Sequence, residues 1–172
     1  MKKTLKQTRR IAAILLSMCL VFAMMPAAAF ADTQGLEVTV TKDKKSENFP
    51  YDNGKVNITS SGSYSISMAE NATTTTDSIE IGNDLVVTLS LNNVSIDLSS
   101  KGGEEEKEDG KYVALKIGEG AKVNLEIGSG GTLKSGRASA GIELAENAEL
   151  TITSFGRSYG ILTVAGGGSG AE

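Results

Sequence analysis

Two groups of side chains in this chain are of types that can do chemistry, and both fall in loops or beside them. The first is acidic. Glu104, Glu105, Glu106, Glu108 and Asp109 form one run, Glu104-Glu-Glu-Lys-Glu-Asp109, and Asp97 lies shortly before it near a turn. Calcium takes about six to eight oxygens from carboxylates and carbonyls, and such a loop can supply several. The run lacks the alternating Asp/Asn spacing and central Gly of a dedicated calcium loop, so it also reads as a solvated charge run. The second group pairs guanidinium with aromatic rings. Arg137 sits in Ser135-Gly-Arg-Ala and Arg157 in Phe155-Gly-Arg-Ser-Tyr, while Tyr112, Phe155 and Tyr159 lie in or beside loops. Guanidinium grips a uronate carboxylate in a bidentate fashion, and ring faces stack on sugars, so these five residues are candidates for polysaccharide binding. The competing reading is that the arginines are ordinary loop residues and the rings cover exposed edges of the fold.

Several other chemistries are excluded. The first 31 residues have a basic start (Lys2, Lys3, Lys6, Arg9, Arg10), an apolar run from Ile11 to Met25, and the small-x-small motif Ala29-Phe30-Ala31. This is the layout of a cleaved secretory signal, with Asp32 as the first mature residue. The segment holds five of the 17 basic residues and none of the 21 acidic ones. Its removal leaves 12 basic against 21 acidic, a net charge of −9. A chain this acidic has no basic patch with which to neutralise phosphates, which argues against nucleic acid as a partner. Past the signal there is no Cys, His or Trp. Disulfides, His-dependent metal sites, Ser-His-Asp triads and Cys nucleophiles are therefore ruled out. No pair of carboxylates at interpretable spacing supports a glycosidase. The chain reads as non-enzymatic, needing no cofactor, with Ca2+ the one ion it could use.

The elements that must position these loops repeat. Ile79-Glu-Ile-Gly-Asn-Asp-Leu-Val-Val-Thr-Leu-Ser-Leu, Leu115-Lys-Ile-Gly-Glu-Gly-Ala-Lys-Val-Asn-Leu-Glu-Ile and Ile142-Glu-Leu-Ala-Glu-Asn-Ala-Glu-Leu-Thr-Ile-Thr share one plan of strand, small polar turn and strand. Ile81 to Val87, Ile117 to Val123 and Leu144 to Leu150 have the same spacing. Alternation of apolar and polar residues marks strands with one buried face, and helical periodicity is absent after the signal. An antiparallel sandwich explains the alternation but not the recurrence of one unit. A right-handed parallel β-helix explains both, because units that cannot bury their apolar faces alone must stack. Ile81, Ile117 and Leu144 are expected in one interior column, and Val87, Val123 and Leu150 in a second. Ala121 and Ala148 are expected to fill tight turns. Asn92, Asn93, Asn124 and Asn147 fall at or near turns, where stacked amides stabilise the coils.

The organisation follows: a signal peptide over 1–31, a leader or N-terminal cap over 32–53, and a β-helix repeat domain over 54–172. The last residues, Ala165-Gly-Gly-Gly-Ser-Gly-Ala-Glu, offer nothing to cover a final coil. An open solenoid end exposes apolar surface and unpaired backbone, so the domain is expected to be incomplete, with further coils or domains downstream.

The succession from Asp52 to Ser67 (Asp-Asn-Gly-Lys-Val-Asn-Ile-Thr-Ser-Ser-Gly-Ser-Tyr-Ser-Ile-Ser), then Val87-Thr-Leu-Ser-Leu-Asn-Asn-Val-Ser-Ile-Asp, Ala140-Gly-Ile-Glu-Leu, Ala148-Glu-Leu-Thr-Ile-Thr and Gly160-Ile-Leu-Thr-Val-Ala-Gly-Gly-Gly resembles secreted surface proteins of Gram-positive bacteria. It looks like their β-helical carbohydrate-binding modules, which are related in fold to pectate lyases. The resemblance covers residues 52–172 and rests on structural repeats. It implies a secreted, extracellular or cell-wall-associated monomeric module of a larger protein. Such a module binds acidic or plant cell-wall polysaccharide, sometimes with calcium, and has no membrane partner in its mature form. A structural stalk or adhesin segment without a glycan ligand is the alternative, and a fragment of a polysaccharide lyase is a third.

Overall fold

The structure, a computed structural model, describes residues 35–42, 45–51, 54–102, 112–154 and 160–168. All of them belong to the second of the chain's two units, Gln34–Glu172. The signal segment, the acidic run 104–109 and the loop 155–159 lie outside the described residues.

Among those residues there are thirteen strands: β1 Leu36–Lys42, β2 Lys45–Asn48, β3 Lys55–Ile58, β4 Gly62–Met68, β5 Ser78–Ile81, β6 Val86–Asn92, β7 Val94–Asp97, β8 Leu115–Ile117, β9 Lys122–Ile127, β10 Gly131–Lys134, β11 Ile142–Leu144, β12 Glu149–Ser154 and β13 Leu162–Ala165. They form an all-β arrangement of three open sheets. One has six strands in the order β12-β9-β6-β4-β1-β2, one has four in the order β11-β8-β5-β3, and one has three in the order β13-β10-β7. The four- and three-stranded sheets are wholly parallel. The six-stranded sheet is mixed, because β1 runs antiparallel to both β4 and β2. From β5 onward the chain visits the four-, six- and three-stranded sheets in rotation, and from β8 onward each strand pairs with the one from the previous round.

The register of these pairings is the one the repeat predicts. Ile117 pairs with Ile81 on one side and Leu144 on the other, and Val123 pairs with Val87 and Leu150. Equivalent inward residues therefore lie over one another, where period-2 alternation sends every apolar side chain to one face. Ile58, Ile79, Ile81, Leu89, Ile96, Leu115, Ile117, Leu125 and Leu133 are buried in that core, as is Ala121 in its turn. Ala148 packs against the same core, partly buried. The turns that join β5 to β6, β8 to β9 and β11 to β12 also correspond. Asp84, Gly120 and Asn147 occupy the same place and all have left-handed backbones, with φ of 56°, 65° and 56°. Gly, Asn and Asp are the residues that tolerate this region. Asn93 is likewise left-handed in its turn, whereas Asn124 lies inside β9 and faces outward.

Two features depart from the sequence reading. The charged stretch after Lys42 contains a strand, β2, which is exposed along its length and held by its ladder to β1. With neither face buried, it shows no apolar alternation. The second is the direction of β1, which meets β4 antiparallel and ends the parallel stacking at that edge. Its Leu36, Val38 and Val40 join the core. Phe49 caps Tyr64 edge-on, with ring centroids 5.6 Å apart, and Tyr51 is buried beneath β1. The Tyr51 hydroxyl donates to Asp77 Oδ2 at 2.7 Å and accepts from the Leu36 N–H at 2.8 Å. At the opposite edge β11, β12 and β13 have a partner on one side only. Their inward residues Leu144, Ile152 and Val164 are 44%, 55% and 44% exposed.

Candidate functional site

Tyr112 and Arg137, far apart in sequence, are brought together at one corner. Gly102 lies between them: a Cβ placed there would sit 3.3 Å from Arg137 Cβ and 3.3 Å from Tyr112 Cδ2. Gly102 also has φ of 81°, so this close approach and its backbone both call for glycine. The corner is held by main-chain bonds. Gly136 N donates to Tyr112 O at 2.8 Å and Arg137 N to Lys101 O at 3.3 Å. The buried Ser135 accepts the Ala114 N–H on its Oγ at 2.8 Å. Ser139, also buried, turns its hydroxyl to Arg137 O at 3.2 Å. Two half-buried residues, Tyr112 and Arg137, thus flank Gly102 on a framework that fixes their backbones.

Asp97 is engaged in its own turn. Its carboxylate accepts from the hydroxyl and the N–H of Ser99, the latter at 2.9 Å, and Lys134 Nζ lies 3.4 Å away. The Ser99 hydroxyl, more than any other neighbour, holds this carboxyl below its usual range. Among the described residues no three acidic groups converge in a way that can hold a metal ion. Glu104, Glu105, Glu106, Glu108, Asp109, Phe155, Arg157 and Tyr159 lie outside the described residues.

The most ordered polar surface is one that loop-centred reasoning passed over. Among the outward positions of the six-stranded sheet, two ranks cross every strand. One rank is Ser46, Thr41, Ser63, Thr88, Asn124 and Thr151; the other is Asn48, Thr39, Ser65, Ser90, Glu126 and Thr153. In every strand but β2 two polar residues flank an inward one, as in Thr39-Val-Thr41, Thr88-Leu-Ser90 and Thr151-Ile-Thr153. Eleven of the twelve side chains are uncharged. The exception, Glu126, is held by its neighbours: Ser90 Oγ donates to Oε2 at 2.8 Å and Asn124 Nδ2 to Oε1 at 3.3 Å. Thr153 Oγ1 donates to Asn124 Oδ1 at 3.2 Å, and Asn92 Nδ2 donates to Ser65 Oγ at 3.2 Å beside the ranks. The outward positions of the four-stranded sheet carry the ion pairs Lys55–Glu80 at 2.7 Å and Lys116–Glu143 at 3.2 Å, and beside the ranks the six-stranded sheet carries its own, Lys122–Glu149 at 2.8 Å. The signal for the ranks was present in the alternation, in the identity of the residues between the apolar ones.

No protein-family model matches this chain, and neither a curated protein nor a solved structure does.

Proposed function

We propose that this chain is a non-catalytic polysaccharide-binding module of a secreted or cell-surface protein, built as a right-handed parallel β-helix. The rotation of the chain through three sheets, with each round pairing in parallel with the last, supports the β-helix, and a parallel crossover is right-handed in nearly all proteins. The observation that carries the binding reading is the corner at Gly102, where Tyr112 and Arg137 adjoin. A phenol face and a planar guanidinium are what a sugar ring with its hydroxyls or carboxylate can use together. Their backbones are fixed, so little ordering cost accompanies binding. Without Trp, each contact is modest, and affinity rests on a polymer touching several places at once. Calcium in this reading is held by carboxylates of the acidic run 104–109.

The test is depletion of the full chain from solution by insoluble plant and bacterial cell-wall polysaccharides, at millimolar calcium and again with chelator. Retention that weakens in a Tyr112→Ala/Arg137→Ala variant supports the reading. If no polysaccharide retains the protein in either condition, the reading falls and the stalk alternative takes its place.

A further inference from the structure

We infer that the ligand is a neutral polysaccharide, and that it lies along the two polar ranks on the outer face of the six-stranded sheet. This rests on the reading of the chain as a polysaccharide-binding module, but it names a different surface and a narrower ligand.

The ranks form a lattice. Neighbouring strands stand about 4.8 Å apart and alternate residues along a strand about 6.7 Å apart, so six strands extend each rank over about 24 Å. The positions offer hydroxyls and amides, which both donate and accept, as the hydroxyls of a sugar chain do. Their regular spacing suits a repeating polymer better than an irregular protein surface. Protein interfaces centre on large aromatic or Arg anchors, and neither rank contains one.

Charge selects among polysaccharides. No basic residue stands in either rank, and the one ionisable group is the carboxylate of Glu126, fixed between Ser90 and Asn124. A uronate polymer would bring further negative charge against it, and the Lys122 ammonium beside the ranks is already paired with Glu149 at 2.8 Å. A neutral chain meets no such cost. The lattice is also more than a by-product of stacking similar units. The β1–β2 hairpin is antiparallel and outside the repeat, yet Thr39, Thr41, Ser46 and Asn48 continue both ranks across it.

The experiment is affinity gel electrophoresis of the full chain through gels containing a soluble neutral β-glucan or polygalacturonate. We expect the β-glucan to retard the protein and polygalacturonate to leave its mobility unchanged. Ser63→Arg with Thr88→Arg, placed mid-rank, is expected to weaken retardation by about tenfold or more, while circular dichroism and the thermal midpoint show that it folds. Thr151→Arg, at an exposed position, is the milder companion should the pair fail to fold, and a severalfold loss is expected. Retardation by β-glucan that neither variant weakens overturns the inference. So does stronger retardation by polygalacturonate. If retention is instead lost only in Tyr112→Ala/Arg137→Ala, the polysaccharide-binding reading survives and this placement does not. Absence of retardation by either polymer overturns the inference, and the depletion experiment then decides the broader reading.

Discussion

Ser90, in β6, donates its hydroxyl proton across 2.8 Å to Glu126, in the next strand β9, and so fixes the one carboxylate in a field of hydroxyls and amides. The two residues are register partners, so the bond runs along the rank and not across it. Asn124 holds the second carboxylate oxygen, which leaves Glu126 little rotational freedom. The pair should be measurably coupled. A double-mutant cycle of Ser90→Ala and Glu126→Gln, read by urea unfolding, is expected to give about 1 kcal/mol of coupling, the ordinary net worth of such a bond. Additive effects would mean that the hydrogen bond is not made in solution.

The stack itself predicts a gradient. Ile117 is fully buried between Ile81 and Leu144, so Ile117→Ala removes packing on both sides and should cost about 2–5 kcal/mol. Leu144 occupies the same column but is 44% exposed, so Leu144→Ala should cost about 1 kcal/mol or less. Equal losses in urea denaturation would contradict the stacking of these residues.

Tyr51 gives a pH prediction. Burial, reinforced by the bond to Asp77, raises its phenol well above the usual value near 10. A group whose folded value is raised favours the fold fully below its unfolded value. That contribution falls as pH climbs through the window above it. Wild-type stability should therefore be insensitive to this group below pH ~10 and decline above it. In Tyr51→Phe the extra alkaline decline should vanish. The variant should also lose about 1–3 kcal/mol at neutral pH, because the buried Leu36 N–H loses its acceptor. Thermal melts of both proteins across the alkaline range measure both effects.

Asp97 offers a local test of its turn. With the Ser99 hydroxyl as the largest influence and Lys134 a lesser one, its carboxyl should titrate below the usual range in NMR spectra of the side-chain carboxyl carbon. Ser99→Ala should move the midpoint up toward the ordinary value, and Lys134→Ala should move it less. The reverse order would show that the ion pair governs this carboxylate.

What could be read from the residues, and what could not, divides along physical lines. Ile81, Ile117 and Leu144 announced their column because an inward position tolerates only apolar side chains, and the turns between them announced themselves through Asp84, Gly120 and Asn147 at left-handed positions. Alternation carries no strand direction, so nothing in Leu36-Glu-Val-Thr-Val revealed that β1 would meet β4 antiparallel. Strand β2 was hidden because no face of it is buried. Tyr51 sat in a charged stretch where nothing marked a buried phenol, since its partners Leu36 and Asp77 are supplied by β1 and by the residue before β5. Tyr112 and Arg137 were singled out separately, but only the fold places them against Gly102. The ranks were written in the strands as Ser, Thr and Asn, residues that look like solvated filler until the pairing register aligns them.

The central claim is that a polysaccharide binds this chain, and that a neutral one lies on the ranks of the six-stranded sheet. The most direct measurement is a titration of the 15N-labelled full chain with a soluble neutral β-glucan oligosaccharide, following backbone amide and Asn side-chain resonances. Dose-dependent shifts are expected at Thr88, Ser90, Asn124 and Thr151, with the buried neighbours Leu89 and Leu125 moving less. Shifts confined to the four-stranded sheet, or no shifts with this or any other polysaccharide fragment, would contradict it.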